Sequence, residues 1–312
     1  MNRGERGLGV ERAKELRKRV RGGGVLRQFR ELRFFALVAL MVVFSVGIAT
    51  GDDPVALAEK VLSAARAGMP FPVFAGDAPS LDLEGAYAVQ KIYADRRLEG
   101  KNPDAFKAGL TTEATQRRFG ASGPVAGVLF PEGRKDFLPE EPEPEISLGD
   151  FGKLMLETEV AFILGEPVTE PLKDEAEFRK KVVFLAPAIE LPDLAFADMK
   201  AMKVTDIIAS SVSAKAYLLG KPVPSDAADP NSVEVVLAKE GREVNRGRGS
   251  DALGDQWRAG LWLVNELLRL GWIFDAGDAL LTGALGNMIP GEEGRYSADF
   301  GPLGSLSFRI VP

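Results

Sequence analysis

Glu157 and Glu159 stand two residues apart inside the run Leu154–Leu164, LMLETEVAFIL, which is otherwise apolar except for Thr158. In an extended chain the period of two turns both carboxylates to one face. Two charges in so hydrophobic a strand are costly to bury unless something compensates them. A divalent cation is the simplest compensation, because two carboxylates fill half an octahedral shell or less and leave room for substrate and water. Glu190 closes a second apolar run, in Pro187-Ala-Ile-Glu190, and could supply a third ligand. The same spacing also suits a solvent-facing strand edge with two inert acids, and spacing alone does not bring Glu190 to the pair.

The chain has no histidine and no cysteine. That excludes an imidazole base, a Ser-His-Asp triad, thiol nucleophiles, disulfides and His- or Cys-held zinc. Acid–base chemistry falls to carboxylates, lysine, tyrosine or bound water. Any metal must be held by oxygen, which favours Mg²⁺, Mn²⁺ or Ca²⁺.

The elements that would carry these side chains begin with Asp53-Pro54, a helix cap followed by proline at the first helical position. This helix runs through Leu57, Val61 and Ala65 to Gly68. A second is expected from Asp82 to Gly100, with Ala86, Val89 and Tyr93 on its inner face. Pro139–Glu145, PEEPEPE, reads as a solvated acidic connection. Strands are expected at Leu154–Leu164, Val182–Ile189, Val233–Leu237, Ala279–Thr282 and Leu306–Val311. Gln256–Leu270 reads as a helix with the stripe Trp257, Leu261, Val264, Leu268, stopped by Gly271, and Asp275–Asp278 as a turn. Two helices leading into a strand-rich body predict an α+β domain. With 312 residues and 46% hydrophobic content the chain can bury one sizeable core.

The formal charge of −6 is unevenly spread: residues 1–33 carry 11 Lys/Arg against 4 Asp/Glu, leaving the remainder at about −13. So acidic a body is a poor partner for nucleic acid. The basic region 1–33 precedes an uncharged run, 34–49, FFALVALMVVFSVGIA. The run is short for a membrane span and close to a signal-peptide core, and Gly47-Ile48-Ala49 offers small residues for cleavage before Thr50. A cleaved signal, an uncleaved membrane anchor with the basic flank inside, and a start codon assigned too early (Met41 would remove most of the run) all remain open. The expected location is accordingly periplasmic or secreted, anchored to the inner membrane, or cytoplasmic on the last reading.

Taken in order along 52–312, the motifs resemble the 2-hydroxypenta-2,4-dienoate (2-oxopent-4-enoate) hydratases of the fumarylacetoacetate hydrolase superfamily. Lys107-Ala-Gly-Leu-Thr111 is similar to the family's K-x-G-L-T segment, Gly127-Val-Leu-Phe130 to its G-x-L-F, and Leu156-Glu-Thr-Glu-Val160 to its E-x-E metal strand. Pro187–Glu190 matches the segment with the third ligand. Arg246–Ser250 with Leu253-Gly254, Thr282-Gly-Ala-Leu-Gly286 and Leu303-Gly-Ser305 follow at family spacing. The resemblance implies a mixed β-sheet and β-roll core with flanking helices, a homo-oligomer, and a small-molecule 2-oxo acid as partner. It implies Mg²⁺ or Mn²⁺ on Glu157, Glu159 and Glu190, chelating the substrate's carboxylate and 2-oxo oxygen and stabilising an enolate. Lys107 would anchor the substrate or transfer a proton, unless it is an exposed surface lysine. Thr282 would bind the substrate carboxylate, unless it is a plain strand-end hydroxyl. Ser305 and the glycines of Thr282–Gly286 are read equally as contacts or as structural turns.

Three stretches depart from the family's pattern. Val125-Ala126 stand where an acid near the substrate is usual, Ser210-Ser211 where the family has Asp-Asn, and Asp255-Gln256-Trp257-Arg258 where a histidine-proline pair is common. The metal triad is complete while its surroundings are altered, which preserves 2-oxo acid binding better than water addition. The expected activity is a hydratase, a carbon–oxygen lyase. A 2-oxo-enedioate decarboxylase, an exported and catalytically silent 2-oxo acid-binding homologue, and a membrane-tethered scaffold are the alternatives, while the lack of histidine argues against the C–C hydrolase branch.

Overall fold

A computed structural model of the chain describes residues 53–312. The basic region, the apolar run at 34–49 and the expected cleavage before Thr50 lie outside the described residues. Among the described residues no helix is long and apolar enough to cross a membrane.

The first two helices form where expected. Helix α1 (Pro54–Ala67) is capped by the Asp53 carboxylate and ends on Gly68 in left-handed backbone, and α2 (Leu83–Leu98) is capped by Asp82. They pack on a mixed sheet built from β1 (Ala105–Gly109), β2 (Val125–Leu129), β3 (Arg134–Asp136), β5 (Met155–Leu164), β6 (Val182–Leu191), β7 (Ala216–Leu219) and β11 (Ala279–Leu281). The strand order is β2-β1-β11-β5-β6-β7-β3, with β8 (Val223–Pro224) against β6 and β12 (Ile289–Pro290) against β5. β2 and β3 are the two ends of this order yet are joined by only four residues, 130–133, so the sheet curls round on itself. A second sheet runs β10 (Arg242–Arg248), β9 (Glu234–Lys239), β13 (Gly294–Asp299), β14 (Ser305–Val311), β4 (Glu145–Ser147). This is the α+β architecture expected from the sequence.

Local chemistry accounts for the two strands that matter most. β5 and β6, ten residues each, pair antiparallel over nearly their whole length. Pro187 interrupts no ladder bond, because it lies between the stretches of β6 paired with β8 and with β7, and its carbonyl is taken by the Gly220 N–H at 2.8 Å. Helix α6 (Gln256–Arg269) covers the β1–β2–β11 end, and its buried face is Trp257, Gly260, Leu263, Val264 and Leu267. The expected stripe is thus right at Trp257 and Val264, while Leu261 and Leu268 are only half-buried. The acidic connection is not wholly solvated either: the Glu143 carboxylate accepts hydrogen bonds from Arg295 (Nε, 2.9 Å) and Ser307 (2.6 Å), fastening the segment to the second sheet.

The turn before β11 carries a stability switch. Asp278 is 6% exposed, and its carboxylate accepts the Asp275 N–H at 2.8 Å. Burial, reinforced by the charges of Asp275 and Asp104, pushes its carboxyl up to about 7. A folded value above the unfolded one near 3.9 means that its contribution is complete below about pH 4 and is lost as pH rises through about 7. Asp278→Asn keeps the acceptor and cannot ionise. It is expected to melt close to the parent protein at pH 4 and ~4 °C or more above it at pH 8. Calorimetric scans at the two pH values check this, and equal melting at pH 8 would refute it.

Candidate metal centre

Antiparallel pairing sets Glu157 directly opposite Glu190, with Glu159 opposite Ala188 on the same face of β5. A carboxylate oxygen from each of the three lies within 4.8 Å of the other two. Glu159 and Glu190 are fully buried, while Glu157 keeps partial exposure. When all three are ionised they only accept hydrogen bonds and cannot satisfy one another. Among the described residues Glu159 Oε1 and Glu190 Oε2 are buried without a hydrogen-bond partner.

Lys107 reaches the cluster from β1. It is 2% exposed, donates to Glu190 Oε1, and donates to the Val212 carbonyl at 3.0 Å. Burial works against its ammonium, but the charges of Glu190 and Glu157 outweigh that and hold it protonated above the ordinary lysine range. The carboxyls move the same way for a different reason: burial pushes all three up, and Lys107 opposes the rise. Glu159 is raised most, because the charges of Glu190 and Glu157 add to its burial. Three buried acids against one buried cation leave an excess of negative charge, which a divalent cation would neutralise. The residues present therefore fit a hard, oxygen-preferring ion.

The loop leaving β11 supports Glu159. Gly283 donates its N–H to Glu159 Oε2 at 2.7 Å, at φ 118°, and a Cβ there would lie 2.5 Å from the Thr111 side chain. Only glycine fits such a position. Thr282 is fully buried, with its hydroxyl between the Val160 carbonyl, at 3.2 Å, and the Gln256 side-chain oxygen. A hydroxyl has one hydrogen, so holding a substrate carboxylate would require Thr282 to exchange a partner.

Lys107 and the three glutamates are thus brought into contact, and Thr282 is adjacent through Gly283. Among the described residues no hydrogen bond ties Ser305 to them: it is exposed at the start of β14 in the second sheet, opposite Asp299, where the Leu303-Gly-Ser305 segment serves as the turn between β13 and β14. Sequence reasoning missed the Val212 carbonyl, the Gly283 N–H and Gln256. Gln256 is fully buried, its amide nitrogen donating to the Gly249 carbonyl at 2.7 Å. A signal for it existed: Gln256 falls one turn ahead of Gly260 on the buried face of α6, a polar residue on an apolar stripe.

The curled mixed sheet carrying a buried acidic triad defines the class, a fumarylacetoacetate hydrolase-like fold. The described chain resembles 4-oxalocrotonate decarboxylase from Pseudomonas putida G7, complexed with magnesium and adipate, with a TM-score of 0.77 at 22% identity over 85% of this chain and 99% of that one. No family model matches the sequence. Its curated relatives place it more narrowly. It is 35% identical over 212 residues to the TodF product hydratase of Pseudomonas putida F1, covering 67% of this chain and 76% of that protein. It is 31% identical over 259 residues to 2-keto-4-pentenoate hydratase of Burkholderia vietnamiensis G4, covering 82% and 97%. The chain belongs to the 2-keto-4-pentenoate hydratase family.

Proposed function

We propose that this protein is a metal-dependent hydratase that adds water across a conjugated double bond of a 2-hydroxydienoate such as 2-hydroxypenta-2,4-dienoate. One observation carries the reading: two buried carboxylate oxygens without partners, on Glu159 and Glu190, converge with Glu157 beside a buried lysine. Hydratase relatives and a magnesium-bound fold neighbour support it. Glu157, Glu159 and Glu190 would hold Mg²⁺ or Mn²⁺, which when bound supplies Lewis-acid stabilisation of charge developing on the 2-oxo oxygen. Lys107 holds a proton at Nζ against the cluster, placed to deliver it to a carbon of the substrate or to steady its carboxylate. The Gly283 N–H orients Glu159, and the neighbouring Thr282 hydroxyl holds the Val160 carbonyl of the same strand.

A second reading is decarboxylation of a 2-oxo-enedioate. Among the described residues the cluster's charged neighbour is Lys107, which can protonate a carbanion after loss of CO₂, whereas water addition also calls for a base. Ultraviolet loss of 2-hydroxypenta-2,4-dienoate separates the two. Turnover with Mg²⁺ or Mn²⁺, abolished by chelation, is the expected result. No turnover with either metal would sink the hydratase reading, and CO₂ release from 4-oxalocrotonate would then establish the other.

A further inference from the structure

Between α5 (Val204–Ala209) and β7 the chain runs Ser210-Ser211-Val212-Ser213. Three consecutive non-glycine residues there adopt left-handed backbone, with φ 56° at Ser211, 56° at Val212 and 59° at Ser213. L-residues enter that region singly, because Cβ crowds the next carbonyl, and a β-branched valine tolerates it least. A full turn of them persists only where its surroundings over-determine it. All four side chains are buried, so the conformation is imposed from within the fold.

The source of the constraint is the seam where the curled sheet fails to close. β2 is a sheet end, and Val128 turns its backbone groups away from β1. The Ser211 hydroxyl takes both: it accepts from the Val128 N–H and donates to the Val128 carbonyl, each at 2.9 Å. One side chain thereby replaces the strand this edge lacks. Gly127 permits the approach, since a Cβ there would lie 2.8 Å from the Ser211 carbonyl oxygen. Ser210 braces the turn from inside, donating to the Ile207 carbonyl at 2.9 Å and accepting the Ser213 N–H at 3.2 Å, and the Asp193 N–H holds the Ser213 carbonyl at 3.0 Å. The result is a Val212 carbonyl aimed at Lys107 Nζ, 3.0 Å away.

We propose that Ser211 is a positioning residue for the reaction. By stitching the left-handed turn to β2 it fixes the Val212 carbonyl, which together with Glu190 holds the Lys107 ammonium at the glutamate cluster. The Ser211 hydroxyl bonds Val128, so its effect on the cluster runs through Lys107. The kinetic arm of the test rests on the hydratase reading, whereas a spectroscopic arm does not.

Ser211→Gly removes the hydroxyl and suits left-handed backbone, so it guards against a fold lost through strain. Ser211→Asn tolerates the same backbone, and its carboxamide offers Val128 both an acceptor and a donor. The Mg²⁺-loaded full chain is assayed for kcat and KM on 2-hydroxypenta-2,4-dienoate, Mn²⁺ affinity is measured by calorimetry, and the ¹⁵N ammonium resonance of Lys107 is assigned with Lys107→Gln. Ser211→Gly is expected to lower kcat by ~10-fold or more, with KM and Mn²⁺ affinity within about twofold, and to broaden the Lys107 resonance through faster proton exchange. Ser211→Asn is expected to bring both back. An unchanged kcat together with an unchanged resonance in Ser211→Gly overturns the proposal. So does a loss shared equally by kcat, KM, Mn²⁺ affinity and melting temperature, which would make Ser211 a seam and nothing more. Should the parent chain not consume the dienoate, the hydratase reading falls while Ser211 is still judged by the resonance: sharp in Ser211→Gly refutes its role, broadened supports it.

Discussion

Glu159→Gln is expected to abolish turnover and yet raise the melting temperature of the metal-free protein. Glu159 is fully buried, and its carboxyl is driven well above the usual range by that burial and by the charges of Glu190 and Glu157. Glutamine has nearly the same shape and keeps an oxygen for the Gly283 N–H, while removing one charge from a cluster with a single cation. Relief of an uncompensated buried charge is worth ~1–3 kcal/mol, or roughly 2–6 °C for a domain of this size. Metal binding moves in the opposite direction. Partners outside the coordination shell already change affinity ~10–100-fold, so losing a ligand is expected to weaken Mn²⁺ by ~100-fold or more. Mn²⁺ should therefore raise the melting temperature of the parent protein and leave that of Glu159→Gln unmoved. An equal metal-induced rise in both proteins would mean that the ion sits elsewhere.

Lys107→Met should do the reverse in the metal-free state. Methionine is long, unbranched and uncharged, so it fills much of the lysine's path while leaving the buried acids without their counter-charge. Breaking a buried pair by removing one partner costs ~3–5 kcal/mol, which corresponds to roughly 10 °C here. Saturating Mg²⁺ or Mn²⁺ is expected to recover most of that stability, since the cluster again holds a cation. Turnover should stay ~10²–10⁴-fold down, because the proton held at Nζ is gone. Thermal melts with and without metal, set beside kcat on the dienoate, check both halves. A variant that kept its stability without metal would show that Lys107 is no counter-charge to the acids.

The opposing expectations follow from side chains that differ in how plainly the sequence announces them. Glu157 and Glu159 were legible as a pair because a strand's period of two is local, and their apolar setting is visible in the run itself. That Glu190 stands across from Glu157 was not, since cross-strand register depends on pairing between segments separated by α4 (Glu175–Lys181). The family resemblance suggested it where spacing was silent. Helix caps at Asp53 and Asp82 were readable for the same local reason. The phase of α6 was read only in part, because its inner face is set by Phe178 and Phe162 packing on Trp257, contacts from other elements. The turn at Ser211–Ser213 was invisible: left-handed backbone is usually flagged by glycine or asparagine, and here a buried hydroxyl bond to a distant strand enforces it on serine and valine. Short strands such as β1 and β2, five residues each and buried at all but Gly109, lack the alternation that would have marked them.

All three acids ride on the two longest strands among the described residues, two on β5 and one directly across on β6. A slip of one residue between these strands would turn Glu190 to the opposite side of the sheet, and a slip of two would carry it ~7 Å along. An ion held by all three therefore accepts one alignment and penalises its neighbours. Beyond any part in catalysis, an ion bound there would act as a vernier for the assembly of the sheet.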